Sequence, residues 1–236
     1  MAHTVFAPFV FADRTFAIAE SRAVWWADQR ALLVADLHLE KASWFAARGQ
    51  MLPPYDSRAT LERLSAAVAA TGARTVYCLG DNFHDSDGPE RMEPVARALL
   101  AELARQVAWV WITGNHDPDV GNLPGDVVDE TLVDGIALRH QAAVGVPPCP
   151  EISGHYHPRL RLRVQGRMIA RPCALIGDSR MVLPAFGALT GGMDAADPAL
   201  TAAMAPARRI QAIVPAQGRA LRFPVTDGAN PASACG

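Results

Sequence analysis

Eight side chains able to bind metal or move a proton stand in five places along the chain. Asp36 and His38 follow the apolar run Ala31-Leu32-Leu33-Val34. Asp81 follows Thr75 to Leu79, and Asn115 and His116 lie in Gly114-Asn115-His116-Asp117 after Val107 to Ile112. His140 follows Gly135 to Leu138, and His155 and His157 lie in Gly154-His155-Tyr156-His157 after Glu151-Ile152-Ser153. Of the 7 histidines, only His3 falls outside this set and its neighbour His84. One such histidine reads as a packing or surface residue, but histidines scattered for packing would not all fall at strand ends. Two carboxylates, an amide oxygen and several imidazoles exceed what one tetrahedral ion uses, and no thiolate joins them. Mixed N/O donors suit Mn²⁺, Fe²⁺ or Zn²⁺ with open positions. A pair of ions ~3.5–4 Å apart, sharing one carboxylate, would use them all and support in-line attack at phosphorus.

The elements that must position these groups are legible from periodicity. Phe6 to Ala19 predicts one or two strands, and Ala23–Trp26 with Ala31–Val34 a hairpin. In an extended chain residues two apart share a side, so Asp36 and His38 are expected to reach one ion while Leu37 faces the core. Glu40 to Arg48 predicts a helix. A second is capped by Asp56 or Ser57, carries Leu61, Leu64 and Val68, and stops at Thr71-Gly72. Thr75–Leu79 predicts a buried strand. A helix from Pro89 to Gln106 carries Val95, Leu99 and Leu103, and the strand leading to Gly114 follows. The segment 118–125 reads as loop, 131–138 as a hairpin, and 145–150 as a Gly/Pro connection. Leu160 to Val164 alternates strictly, Met168–Ile176 and Met181–Leu189 predict strands, Gly191–Pro206 is irregular, and 210–225 forms a last hairpin. Strand, polar cluster, helix, then strands predicts an α/β protein, a mixed-sheet sandwich with its site at strand carboxyl ends. We expect one domain over residues 1–226 and a frayed tail from Asp227.

A hydrophobic fraction of 50% and a charged fraction of 19% provide for a sizeable core and argue against disorder. The net charge of −2 announces no basic surface, so any nucleic-acid contact must be local. The 4 cysteines show no C-x-x-C spacing and read as free thiols. The apolar start lacks a basic leader and no run reaches the ~18 apolar residues a membrane span needs, so a soluble cytoplasmic protein is expected. There is no P-loop, Rossmann glycine pattern or Gly-x-Ser-x-Gly elbow.

Asp-x-His, Gly-Asp, Gly-Asn-His-Asp, a later His and Gly-His-x-His, in this order, resemble the calcineurin-like metallophosphoesterases. The motifs span Asp36 to His157. The resemblance implies an αββα fold and two divalent ions, Mn²⁺ first, with hydrolysis by hydroxide bridging them. It implies that Asp36, His38 and His157 hold one ion, Asn115, His140 and His155 the other, and that Asp81 bridges. His116 would contact the phosphate and protonate the leaving oxygen. Where phosphatases of this family commonly carry an Asp that pairs with the catalytic His, this sequence has His84. That is similar to the repair-nuclease branch, where this His helps hold the phosphodiester; the alternative is that Asp85 takes the pairing role. Leu33 to Lys41 and Gly80 to Asp85 resemble the bacterial DNA-ligase-associated metallophosphoesterases. That implies a phosphodiesterase of DNA repair, encoded with a DNA ligase, a helicase and an exonuclease, and leaves a homo-oligomer open. The resemblance carries nothing about the last 60 or so residues.

Lys41, with Trp44 and Phe45, could line the substrate cleft, and Arg159, with Arg161 and Arg163, could steer a nucleic-acid backbone, though a helix core is the commoner role for such aromatics and a solvated face is slightly favoured for the arginines. Trp25, Trp26, Trp109 and Trp111 read as packing residues. Phosphodiester cleavage in DNA is the leading function. A cyclic-nucleotide or nucleotide phosphodiesterase, a phosphomonoesterase, and a non-catalytic interaction module follow.

Overall fold

The computed structural model describes residues 4–116 and 121–225, so His3, Asp117 and the expected tail lie outside the described residues. The chain opens with an antiparallel meander of β1 (Phe6–Phe11), β2 (Arg14–Ala19), β3 (Val24–Trp26) and β4 (Ala31–Val34). α1 (Lys41–Ala46) and α2 (Asp56–Thr71) cross over to β5 (Thr75–Leu79). α3 (Gly88–Arg91) and α4 (Pro94–Gln106) cross over to β6 (Ala108–Ile112), and β7 (Asp126–Val128) completes a sheet ordered β1 to β7. From β4 to β7 the strands are parallel, so their carboxyl ends gather on one side.

The second sheet follows from β8 (Glu130–Val133), β9 (Ile136–Arg139) and β10 (Glu151–Ser153). Next come β11 (Pro158–Val164), β12 (Arg167–Pro172), β13 (Ala174–Ile176) and β14 (Arg180–Val182). The chain closes with β15 (Met193–Asp194), α5 (Pro198–Ala203), β16 (Gln211–Ala216) and β17 (Arg219–Pro224). The second sheet is ordered β17-β16-β13-β14-β10-β9-β8, and β12-β11-β15 forms a small third one. β9, β10 and β14 are parallel neighbours.

Strand alternation sorts the core into layers. Leu32, Val34, Val76, Cys78, Trp109 and Trp111 face Leu61, Leu64, Ala96, Leu100 and Leu103 of α2 and α4. Leu33, Leu79 and Ile112 face Ile136, Leu138, Ile152, Met181 and Ile213 of the second sheet. The outer face of that sheet, with Leu175, Val182 and Val214, packs on Leu200 and Met204 in and beside α5. The result is the mixed-sheet sandwich flanked by helices that the sequence predicts. Trp26, Trp109 and Trp111 are buried and Trp25 is half-buried, as packing residues.

Several local expectations are corrected. α2 is not capped by Asp56 or Ser57: Asp56 accepts the Ala42 N–H, and Ser57 donates to Glu40, so both tie α2 to the loop carrying α1. The Pro89–Gln106 helix breaks at Met92-Glu93, because Pro94 disfavours helical angles in the residue before it. The new start puts Val95 in solvent and Ala96 and Leu100 in the core. Met168–Ile176 is two strands, since the chain leaves the small sheet at Cys173 and joins the second sheet at Ala174. The strand expected over Met181–Leu189 ends at Val182. The irregular stretch holds β15 and α5, whose first turn is capped by Asp197 accepting the Ala199 N–H.

Candidate metal centre

The carboxyl ends of β4, β5, β6, β9 and β10 converge, and the candidate residues lie just beyond them. The loops after β4 and β5 zip together: the backbone N–H groups of Asp36, His38 and Leu39 donate to the carbonyls of Gly80, Asp81 and Asn82. Asp36, His38, Asp81, His155 and His157 all have positive φ, between 44° and 72°. The expectation of an extended Asp36-Leu37-His38 is therefore corrected. Leu37 is buried as expected, but left-handed turns, not strand alternation, turn Asp36 and His38 the same way. Such conformations cost roughly 1–3 kcal/mol each and persist where the surroundings enforce them.

Two glycines are part of that enforcement. A Cβ on Gly80, itself at φ +73°, would lie 2.3 Å from His140 Nδ1. A Cβ on Gly154 would lie 2.7 Å from both Ala35 Cβ and Asp36 Oδ2. Gly154→Ala should therefore cost about 1–3 kcal/mol through overpacking and loosen divalent-ion binding at the Asp36 side. Thermal melts with and without Mn²⁺ read both effects. Gly191→Ala, which meets no atom within 4 Å, is the control.

The donors form two groups, Asp36 with His38 and His157, and Asp81 with His140 and His155; within each, the ligand atoms lie within 4.8 Å of one another. In the first, His38 Nε2 is 3.2 Å from His157 Nε2, which is 3.4 Å from Asp36 Oδ1. In the second, His140 Nε2 is 2.9 Å from Asn115 Oδ1, 3.1 Å from His155 Nδ1 and 3.4 Å from Asp81 Oδ1. Asp81 spans both: its Oδ2 is 3.9 Å from His38 Nε2 and 3.9 Å from His116 Nε2.

The donor set fits divalent cations. Asp36 and Asp81 are almost fully buried, and among the described residues no Arg or Lys pairs with either. Buried carboxylates without a cation are costly. His140 Nδ1 sits 3.1 Å from the Leu79 carbonyl, which only accepts, so Nδ1 carries a proton and, in the neutral ring that ligation requires, Nε2 carries the lone pair. That lone pair faces Asn115 Oδ1, another acceptor, and a cation between them removes the conflict. Burial, with His157 and Lys41 adding to it, pushes His38 down to about 2, and burial and His140 lower His155, so both rings are held neutral as ligation requires.

His116 lies beside the two groups. Its N–H donates to Asp81 Oδ1 at 3.1 Å, and its Nδ1 donates to the His84 carbonyl at 3.0 Å, leaving Nε2 toward Asp81. The His84 ring stacks between His116 (5.5 Å, 17°) and Phe45 (6.0 Å, 18°), with Trp44 edge-on at 4.8 Å. Burial, then Lys41 and His116, push His84 down to about 4. Asp85 does not pair with His116; Arg91 holds both its oxygens. Lys41 is half-buried and close enough to depress both His38 and His84. Trp44 and Phe45 wall this side of the site. Arg159 lines a small cavity with His157, Arg161 pairs with Asp194 at 3.1 Å, and Arg163 is exposed. Sequence reasoning missed Arg22, which lines that cavity too and carried no motif around it. Among the described residues no helix is long and apolar enough to cross a membrane.

The calcineurin-like phosphoesterase family model matches residues 29–157. The crystal structure of Pseudomonas putida nuclease MPE is similar at 30% identity, with 92% of this chain and 100% of that chain covered and a TM-score of 0.69. AQ665, a protein of unknown function from Aquifex aeolicus, matches at 17% identity over 54% of this chain and 78% of its own (TM-score 0.39). YfcE, a phosphoesterase from E. coli, matches at 16% over 83% and 99% (TM-score 0.41). Neither of these two is near enough to carry an argument. No curated protein sequence matches. The family model covers more than half of the 236 residues and the nuclease is matched along its whole length, so this chain belongs to the calcineurin-like phosphoesterases, metal-dependent hydrolases of phosphate esters.

Proposed function

We propose that this protein hydrolyses phosphodiester bonds of DNA at a two-ion centre and serves in DNA repair, functionally linked to a DNA ligase, a helicase and an exonuclease. The observation that carries the two-ion reading is the position of Asp81, within reach of both His/Asp groups. Asp36, His38 and His157 would hold one ion, Asn115, His140 and His155 the other, with Asp81 in reach of both groups. When bound, a pair of Mn²⁺ ions supplies Lewis acidity and a hydroxide source at neutral pH. His116 donates a proton from Nε2 to the departing oxygen, its ring oriented by the His84 carbonyl. His84 and Lys41 flank the phosphodiester, His84 as a neutral hydrogen-bonding ring.

Two observations favour a polymer over a small ligand. His116 remains 41% exposed, so the centre opens to solvent. The similar protein from Pseudomonas putida is called a nuclease. Mn²⁺-loaded protein is therefore expected to cleave bis(4-nitrophenyl) phosphate and single-stranded DNA in preference to 4-nitrophenyl phosphate and cyclic nucleotides. Excess chelator should abolish the activity, and added Mn²⁺ should restore it. Activity confined to monoesters would favour the phosphomonoesterase alternative.

A further inference from the structure

Arg22 and Arg159 stand together beside His157. With Pro158, Pro172, Ala185, Thr190 and Gly191 they line a cavity of about 40 Å³. Arg22 lies in the turn between β2 and β3, and Arg159 near the start of β11, so the fold brings to one place two cations far apart in the chain. Arg22 Nη1 is fully engaged, donating to the Ala185 and Gly187 carbonyls at 2.8 and 3.3 Å and to Thr190 Oγ1 at 3.3 Å. That fixes the guanidinium, and among the described residues its other nitrogens have no hydrogen-bond acceptor. The Arg159 stem lies against Gly192, where a Cβ would come within 2.5 Å of its Cγ and Cδ. Its Nε is buried without a hydrogen-bond partner, and neither arginine pairs with a carboxylate among the described residues.

A fixed guanidinium beside a second one whose Nε is buried and unpaired is an incomplete arrangement. Each buried donor left unpaired is costly, and like charges side by side add to that. Arg159 contributes, after burial, to lowering Arg22. A bound anion removes both penalties. The size of the cavity restricts the anion: a buried water needs ~10–15 Å³, so the space takes a few waters or one compact oxyanion, and no nucleobase. Arginine forks match phosphate oxygens in pairs.

We propose that Arg22 and Arg159, which share a cavity with the candidate ligand His157, form a subsite for the phosphate next to the scissile one in a DNA strand. This rests on the DNA reading above and deepens it: the enzyme senses the neighbouring nucleotide through its charge. The strand then continues toward Arg163, exposed on the same face of β11 roughly 13 Å beyond Arg159; Arg161, between them, is paired with Asp194.

The test compares the dinucleotide TpT with pTpT and TpTp, which add one terminal phosphate on either side. In the wild-type Mn²⁺ enzyme one of the two should show a KM about tenfold or more below that of TpT, the scale of a charge-assisted hydrogen bond. In Arg159→Met that advantage should vanish, and in Arg159→Lys it should be partly restored. The ratio within each variant cancels any general damage from the substitution. An advantage that persists in Arg159→Met, or no advantage for either substrate in the wild type, overturns the subsite alone. Failure to cleave TpT by an enzyme that cleaves bis(4-nitrophenyl) phosphate overturns the DNA reading, and the subsite with it.

Discussion

Asp81→Asn is expected to drop the ion content from two per chain to one or fewer and to lower kcat by on the order of 10³-fold or more. The several kcal/mol of transition-state stabilisation that bound ions provide is the basis of that figure. The substitution is nearly isosteric, and the amide oxygen can still accept the His116 N–H that Asp81 Oδ1 accepts at 3.1 Å. What it removes is the charge that reaches His38 on one side and His140 on the other. Stability should respond with opposite signs in the two states. In metal-free protein Asp81 is a buried carboxylate whose ion-pair partners among the described residues are all histidines, so neutralising it should leave Tm unchanged or raise it. In wild type, saturating Mn²⁺ should raise Tm by linkage, and in Asp81→Asn most of that rise should be absent. Metal analysis, kcat on bis(4-nitrophenyl) phosphate and paired melts read all three effects. Full ion content in the variant would remove Asp81 from the bridging position.

The parts of this site legible in the sequence were those written locally. An apolar run followed at once by Asp, Asn or His marks a strand end, and five such ends name the donors. What was not legible depended on partners far away in the chain. The left-handed turns at Asp36, His38 and Asp81 come from the zipping of the β4 and β5 loops, which strand alternation does not encode. Asp85 is withdrawn from His116 because Arg91, on a one-turn helix, binds it first. Arg22 carries no local pattern; its place beside His157 exists only once the β2–β3 turn meets the segment after β14. The break at Met92 was encoded, in Pro94, but a helical pattern running across it read through the signal. Asp56 and Ser57 have the chemistry of caps and spend it on the loop before α1 instead, a choice set by packing.

His116→Ala should separate proton delivery from ion binding. The ring approaches no closer than 3.9 Å to Asp81 Oδ2 and belongs to neither donor group, so ion content should stay at the wild-type level. A positioned general acid is typically worth ~10²–10⁴ in rate, and that loss should fall on kcat. Its size must depend on the leaving group. An alkoxide departing from a DNA strand is a strong base and needs the proton, whereas 4-nitrophenolate leaves well without one. The variant should therefore lose far more activity on TpT than on bis(4-nitrophenyl) phosphate. A ring needed only to bind the phosphate would reduce both substrates alike. His84→Ala provides the comparison, because the His116 Nδ1 proton goes to the backbone carbonyl of residue 84, which that substitution retains. It removes the stacked imidazole and leaves the hydrogen bond, so it should cost less on TpT than His116→Ala does and should show weaker dependence on the leaving group. Equal losses on both substrates in His116→Ala would assign the ring to phosphate binding and leave the departing oxygen to be protonated by solvent.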